Sequence, residues 1–255
     1  MTILRSLVFN VVFFAVGFFL TLWATALRLV APGRVLGVAI LWARTLVAAV
    51  RIICGIRLHV QGLEHIPPGA ALIASRHQSA FDTFVWLTLV PRCCYVFKHE
   101  LLRIPLFGPL ITAAGMIAVD RTGGGAAIRA MLHQADRAAR EQRQIVIFPE
   151  GTRSEPGTLG ALHPGIAALA ARTGLPVVPV ATDSGLFWGR RAFRKRSGTI
   201  RIVIGRPIPP RTERQALMQA LADAMTMLDT SPGDPPLGDR GSSPEIAEFP
   251  AKTML

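Results

Sequence analysis

The chain opens on a long apolar stretch. Residues 6–27 include no charged side chain. As a helix these positions reach about 33 Å, enough to cross a bilayer core. Arg5 and Arg28 bracket the stretch, and Trp23 stands near one end, as interfacial anchors do. A cleaved signal peptide is the competing reading. Ala24-Thr25-Ala26 has the small-x-small form of a cleavage site, but the run exceeds a typical signal core and only Arg5 precedes it. Pro32-Gly33 breaks the helix. A second apolar stretch, 35–50, carries Arg44, with Arg51 just beyond on the same helical face. Such a helix suits the membrane interface, one leg of a hairpin dipping into the bilayer, or packing on a core.

Beyond residue 55 short β-type runs alternate with helical ones. Strands are predicted at 57–61, 70–75, 93–98, 115–120, 144–148, 176–182 and 199–204. Several are nearly continuous apolar runs, as in a sheet covered on both faces. Helices are predicted over 126–142, with Ile128, Leu132, Ala135 and Ala139 on one face, and over the alanine-rich 159–173. A third, 212–228, opens with a capping-box pattern of Thr212 and Gln215. The alternation predicts an α/β layered domain, with a mixed, largely parallel sheet flanked by helices. An N-terminal membrane helix or helical hairpin precedes it. The expected organisation is 1–55 as membrane-anchoring helices, 56–229 as the main domain and 230–255, rich in Pro, Gly and Ser, as a disordered tail.

Composition sharpens this picture. Of 255 residues, 51% are hydrophobic, and 28 Lys+Arg against 16 Asp+Glu give a formal net charge of +12. A basic surface favours nucleic acid, anionic lipid or phosphorylated substrates, and the apolar N-terminus tips the choice toward lipid. The run from Trp188 to Arg196 holds five cations and two aromatics, and reads as a lipid-headgroup contact or a solvated loop. No nucleic-acid fold motif accompanies it. Cys54, Cys93 and Cys94 form no CxxC and no zinc spacing, and read as reduced thiols. Gly123-Gly124-Gly125 lacks dinucleotide spacing and reads as a flexible loop. Ser184-Gly185 belongs to no GxSxG elbow. His59, His65, His99, His133 and His163 read as structural or surface residues.

Two constellations carry chemistry. His77 and Asp82 lie in Ser75-Arg76-His77-Gln78-Ser79-Ala80-Phe81-Asp82, where a predicted strand gives way to a helix. Ligands in open α/β sheets bind beyond the carboxyl ends of strands. A histidine can take a proton from an alcohol, and a carboxylate on its other ring nitrogen orients it. Taken alone, the pair is a weak signal and reads as a surface histidine and a helix-capping aspartate. The second constellation follows the strand ending at Phe148: Pro149-Glu150-Gly151-Thr152-Arg153-Ser154. Glycine allows a tight turn, and arginine offers a donor fork suited to phosphate. Glu150 beside Arg153 can position it or a substrate hydroxyl, or the two form a solvated ion pair.

Together HQSAFD and FPEGTRS, about seventy residues apart, resemble the signature blocks of the glycerolipid acyltransferases, and among them the bacterial 1-acyl-sn-glycerol-3-phosphate acyltransferases. Lys98-His99-Glu100-Leu101, Pro105, Gly108, Gly115 and Asp120-Arg121 resemble the family's middle block, and Pro176-Val177-Val178-Pro179-Val180 its last. The resemblance implies that His77 is general base toward the acceptor hydroxyl and that Asp82 orients it. It implies that Arg121 and Arg153 hold an acceptor phosphate, with Glu150, Gly151 and Thr152 shaping that site and Lys98 adding positive charge. The acyl donor would be acyl-CoA or acyl-carrier protein, with no metal or prosthetic group. The partners would be membrane lipids and a lysophospholipid, and the domain would face the cytoplasm at the inner membrane. Two departures bear on the acceptor: Arg76 replaces the usual asparagine, and Leu162-His163-Pro164-Gly165 replaces a lysine-rich stretch. Another lysolipid acceptor, such as a lyso-aminolipid, and a noncatalytic protein that binds anionic lipid are the alternatives.

Overall fold

The structure, a computed structural model, describes residues 2–120, 123–210 and 213–230. Two helices lead, α1 (Thr2–Val30) and α2 (Val35–Cys54), joined by a 3-10 turn at Pro32–Arg34. Proline suits the first position of that turn because its missing N–H would be unpaired there. Gly55, at φ 70°, closes α2 and donates its N–H to the Arg51 carbonyl. Then follow β1 (Ile56–Gln61), β2 (Ala71–Ser75), α3 (Asp82–Leu89), β3 (Cys93–Lys98), α4 (Phe107–Ala113) and β4 (Ile117–Val119). The rest comprises α5 (Gly124–Arg140), β5 (Gln144–Ile147), α6 (Gly165–Thr173), β6 (Val177–Thr182), α7 (Ser184–Phe187), β7 (Gly198–Ile204) and α8 (Arg214–Thr230).

The seven strands form one sheet in the order β1-β7-β6-β2-β5-β3-β4. Every pairing is parallel except β6 with β7. The central strands β2, β5 and β6 are buried along their whole length, which explains their unbroken apolar runs. Successive residues point to opposite faces. Ala71 and Ile73 join one core with α2 and α3; Leu72 and Ala74 join another with α5, α6 and α8.

All seven predicted strands exist, with ends shifted by a residue or two. The strand predicted at 115–120 shortens because Gly115 turns the chain at φ 70°. A Cβ there would lie 2.1 Å from the Arg143 guanidinium, which binds the carbonyls of Gly115, Cys93 and Ala114 at 2.7–2.9 Å. The helix predicted from 159 starts only at Gly165, behind Pro164. The glycine run at 123–125 is no flexible loop in its described part: α5 begins at Gly124, and the Gly123 N–H is held by Asp120 Oδ1 at 3.1 Å. Helix α5 buries Met131, Ala135 and Ala138, whereas Ile128 stays exposed. Arg121, Thr212 and residues 231–255, hence most of the predicted tail, lie outside the described residues.

Each of α1 and α2 is long and apolar enough to cross a membrane by length and composition. They run antiparallel: Cys54 meets the Arg5 carbonyl, and Gly17 faces Trp42. The hairpin does not project from the domain. Ile40, Ala43, Leu46, Val50 and Cys54 of α2 join the sheet's core, while Arg44 and Arg51 remain exposed. Residues 35–50 thus pack one face on the core, while Leu41 and Ile52 keep part of the apolar surface of α2 exposed. Outside it, α1 exposes Phe14, Phe18, Phe19 and Trp23, an apolar face of the kind that associates with membrane.

Candidate active site

His77 stands just past the carboxyl end of β2, in the loop that enters α3. The strand's pairing continues to its threshold, since the Arg76 N–H donates to the Val180 carbonyl at 3.0 Å. Asp82 opens α3 with its carboxylate turned back over the loop. Its Oδ2 accepts the N–H groups of Gln78 and Ser79, both at 2.8 Å, and lies 3.3 Å from His77 Nδ1. Asp82 is 2% exposed, and the His77 side chain 13%. Nδ1 is thus occupied and Nε2 is the ring nitrogen left for a substrate. The imidazole stacks on Phe148 at 4.3 Å, and Phe148 stacks in turn on Tyr95. Burial raises the Tyr95 phenol well above its usual range, so it stays neutral; it donates to the Asp82 carbonyl at 3.2 Å and accepts the Trp86 N–H.

The second constellation is stitched onto the first. Gly151, at φ 69°, turns the chain back so that its N–H reaches the Phe148 carbonyl at 3.0 Å. That turn brings Glu150 behind His77. Glu150 Oε2 accepts the His77 N–H at 3.2 Å and the Ser154 hydroxyl at 2.9 Å, and the Ser154 N–H donates to the His77 carbonyl at 2.8 Å. Both backbone polar groups of His77 are thereby fixed by the loop that follows β5.

Glu150 departs from its expected placement. Its partner is not Arg153 but Arg76, whose Nε lies 3.3 Å from Glu150 Oε1. The pair is buried rather than solvated, and the Arg76 guanidinium also meets the Thr158 carbonyl and the Asp229 carboxylate. Oε1 and Oε2 are both engaged, and Oε2 ties Glu150 to the His77 backbone. The sequence alone did not single out Arg76 as a structural partner, because an arginine next to a histidine carries no periodic signal.

The remaining site residues divide. Gly151 and Lys98 line the same cavity as His77; Lys98 is exposed and paired with Glu100 at 2.8 Å. Thr152 is exposed, and Arg153 half-buried. Burial pulls the Arg153 pKa down; the Asp82 carboxylate opposes this, while Arg190 and Arg191 add to it. His163, read as a structural or surface residue, also lines the cavity, as does Ile128.

That cavity has a volume of about 1090 Å³, just above the range of about 300–1,000 Å³ usual for small-molecule sites. It runs from His77 and Phe148 between the hairpin and the domain. Phe13, Gly17 and Phe18 of α1, Trp42 of α2 and Phe107 and Leu110 of α4 form its walls. An oriented imidazole at the end of a long apolar cavity is suited to proton abstraction next to a hydrocarbon chain.

Residues 57–183 match the family model described as Acyltransferase. The 1-acyl-sn-glycerol-3-phosphate acyltransferase of Pseudomonas aeruginosa is 38% identical over 164 residues, 64% of this chain and 64% of that protein. The human 1-acyl-sn-glycerol-3-phosphate acyltransferase alpha is 31% identical over 183 residues, 71% of this chain and 65% of that one. The chain thus spans just under two thirds of these relatives. The crystal structure of the 1-acyl-sn-glycerophosphate (LPA) acyltransferase PlsC from Thermotoga maritima superimposes with a TM-score of 0.70, covering 95% of this chain and 100% of that one at 22% identity. It shares the fold. Residues 57–183 thus carry an acyltransferase-family domain.

Proposed function

We propose that this protein transfers a fatty acyl chain from acyl-CoA or acyl-carrier protein to the sn-2 hydroxyl of lysophosphatidic acid, giving phosphatidic acid. The observation that carries the reading is the His77–Asp82 pair opening onto a long apolar cavity. The names of the sequence relatives support the acceptor.

In this reading the acceptor hydroxyl donates to His77 Nε2. As its proton moves to the imidazole, its oxygen attacks the thioester carbonyl. The tetrahedral intermediate collapses, the C–S bond breaks, and the thiolate leaves with the proton returned by His77. Asp82 holds the ring by Nδ1 and offsets the charge it gains. No protein nucleophile, metal or prosthetic group is required. Arg153 and, by family likeness, Arg121 bind the acceptor phosphate, with Lys98, Gly151 and Thr152 around it. The acyl chain occupies the cavity under the hairpin. The exposed face of α1 lies in the inner membrane, with the domain on the cytoplasmic side.

Purified protein in detergent, given labelled acyl donor and lysophosphatidic acid, lysophosphatidylcholine or a lyso-aminolipid in parallel, tests this. Product from lysophosphatidic acid alone is expected. Product only from another acceptor withdraws the phosphate assignments, and the Arg76 and 162–165 departures make that the second reading. No product with any acceptor and several donors leaves only lipid binding.

A further inference from the structure

The segment from Ser184 to Arg196 is built against the active-site loops, and the function described above leaves it unused. Gly185 is the contact point. Its N–H donates to Gln78 Oε1 at 3.2 Å, one residue past His77. A Cβ at Gly185 would lie 2.9 Å from Pro156 Cγ and 3.0 Å from Gln78 Cβ, so this backbone is wedged between the His77 loop and the loop bearing Arg153. Gly189 then folds back onto Gly185, and the Trp188 N–H donates to the Ser184 carbonyl at 2.9 Å. The Ala192 N–H reaches the Gly189 carbonyl at 3.1 Å, closing a turn whose central residues are Arg190 and Arg191.

The turn is held firmly from below. The Arg196 N–H donates to the Phe187 carbonyl at 2.8 Å, and Trp188 is buried. Lys195, in the run read as a lipid-headgroup contact or a solvated loop, is also buried. Its ammonium bonds Asn10 of α1 and lies 4.8 Å from the Trp188 ring centre. Arg191 adopts φ 55°, a conformation that costs a non-glycine residue free energy. Arg190 and Arg191 are exposed, and among the described residues neither they nor Arg153 form a salt bridge. The two act electrostatically on Arg153. The Asp82 carboxylate offsets part of the repulsion that Arg190 and Arg191 exert on Arg153, and a phosphate taken up by the three guanidinium groups relieves the rest through forked, charge-assisted hydrogen bonds.

We infer that Arg190 and Arg191 complete, with Arg153, a phosphate-binding subsite beside the His77 loop. Its ligand is a phosphate group carried by a substrate, either the terminal monoester of the acceptor lipid or a phosphate of the CoA donor. The choice of carriers rests on the acyltransferase reading; the subsite rests on the packing around Gly185.

Binding measured with one ligand at a time, without turnover, tests it. The full chain in detergent is titrated calorimetrically with lysophosphatidic acid and, separately, with palmitoyl-CoA. The Arg190→Gln/Arg191→Asn protein is compared, asparagine being tolerant of the φ at 191. A rise in Kd of about tenfold for lysophosphatidic acid, with lysophosphatidylcholine unaffected, assigns the subsite to the acceptor. The same rise for palmitoyl-CoA, with palmitoyl-pantetheine unaffected, assigns it to the donor. Unchanged Kd values for both ligands overturn the inference, also where flotation with phosphatidylglycerol vesicles is weakened, since the arginines then serve the membrane surface. Binding that weakens as expected in a chain that transfers no acyl group refutes the proposed function and leaves the subsite standing.

Discussion

The Arg76 guanidinium and the Glu150 carboxylate, both closed off from solvent, meet at 3.3 Å directly behind His77. Glu150 is thus neutralised from one side while it accepts the His77 N–H from the other. Arg76 has a second anionic partner in Asp229, so removing the Glu150 charge takes away one of its two carboxylates and incurs only part of the cost of an unpaired buried charge, about 3–5 kcal/mol. Glu150→Gln is therefore expected to lower the thermal midpoint in detergent and to depress turnover, because the His77 backbone loses a charged acceptor. Arg76→Leu/Glu150→Gln should recover part of the stability, since the carboxamide can still accept the His77 N–H while the buried cation is gone, but not turnover. Recovery of both in the double variant would contradict the role given to Glu150.

Asp82 presents one oxygen to three donors. In Asp82→Asn the carboxamide oxygen can keep the Gln78 and Ser79 N–H bonds, so the loop should hold. It cannot balance the charge His77 gains on accepting a proton. The predicted outcome is a loss of about 10²-fold or more in kcat, the low end of what general base catalysis contributes, with KM little changed. Steady-state kinetics with a folded protein, verified by circular dichroism, checks this.

Gly17 lines the cavity where α1 crosses Trp42. A Cβ there would sit 3.6 Å from Trp42 Nε1, an ordinary contact, so the helix pairing tolerates a larger residue. Gly17→Leu should place its branch in the cavity and shift donor preference toward shorter acyl chains. Competition between long- and medium-chain donors, scored by mass spectrometry of the product, reads this out. An unchanged product profile would remove the acyl chain from that part of the cavity.

Lys195 clasps α1 to the domain. Lys195→Met keeps an apolar stem against Trp188 and Phe9 but removes the bond to Asn10. Faster amide exchange in the first turns of α1 is expected, with the sheet unaffected. Equal exchange in both proteins would show that apolar packing alone docks the hairpin.

The sheet was legible because β2, β5 and β6 are buried on both faces and so read as unbroken apolar runs between turn residues. Helices α3 and α4 were not delineated. The run Phe84-Val85-Trp86-Leu87 is buried all round, so it shows no amphipathic period. The His77–Asp82 pairing followed from spacing and family likeness. The Arg76–Glu150 pair, 74 residues apart, did not, since nothing local marks which arginine meets which carboxylate. The cavity was equally hidden. Its walls come from α1, α2, α4 and α5, and only their packing creates the space.

Acyl transfer from labelled donor to lysophosphatidic acid, compared between the protein and a folded His77→Ala variant, tests the central claim most directly. Phosphatidic acid formed by the first and lost by about 10³-fold in the second is the predicted result, within the range expected for removing a general base. Equal product from both would contradict the assignment of His77 as the base.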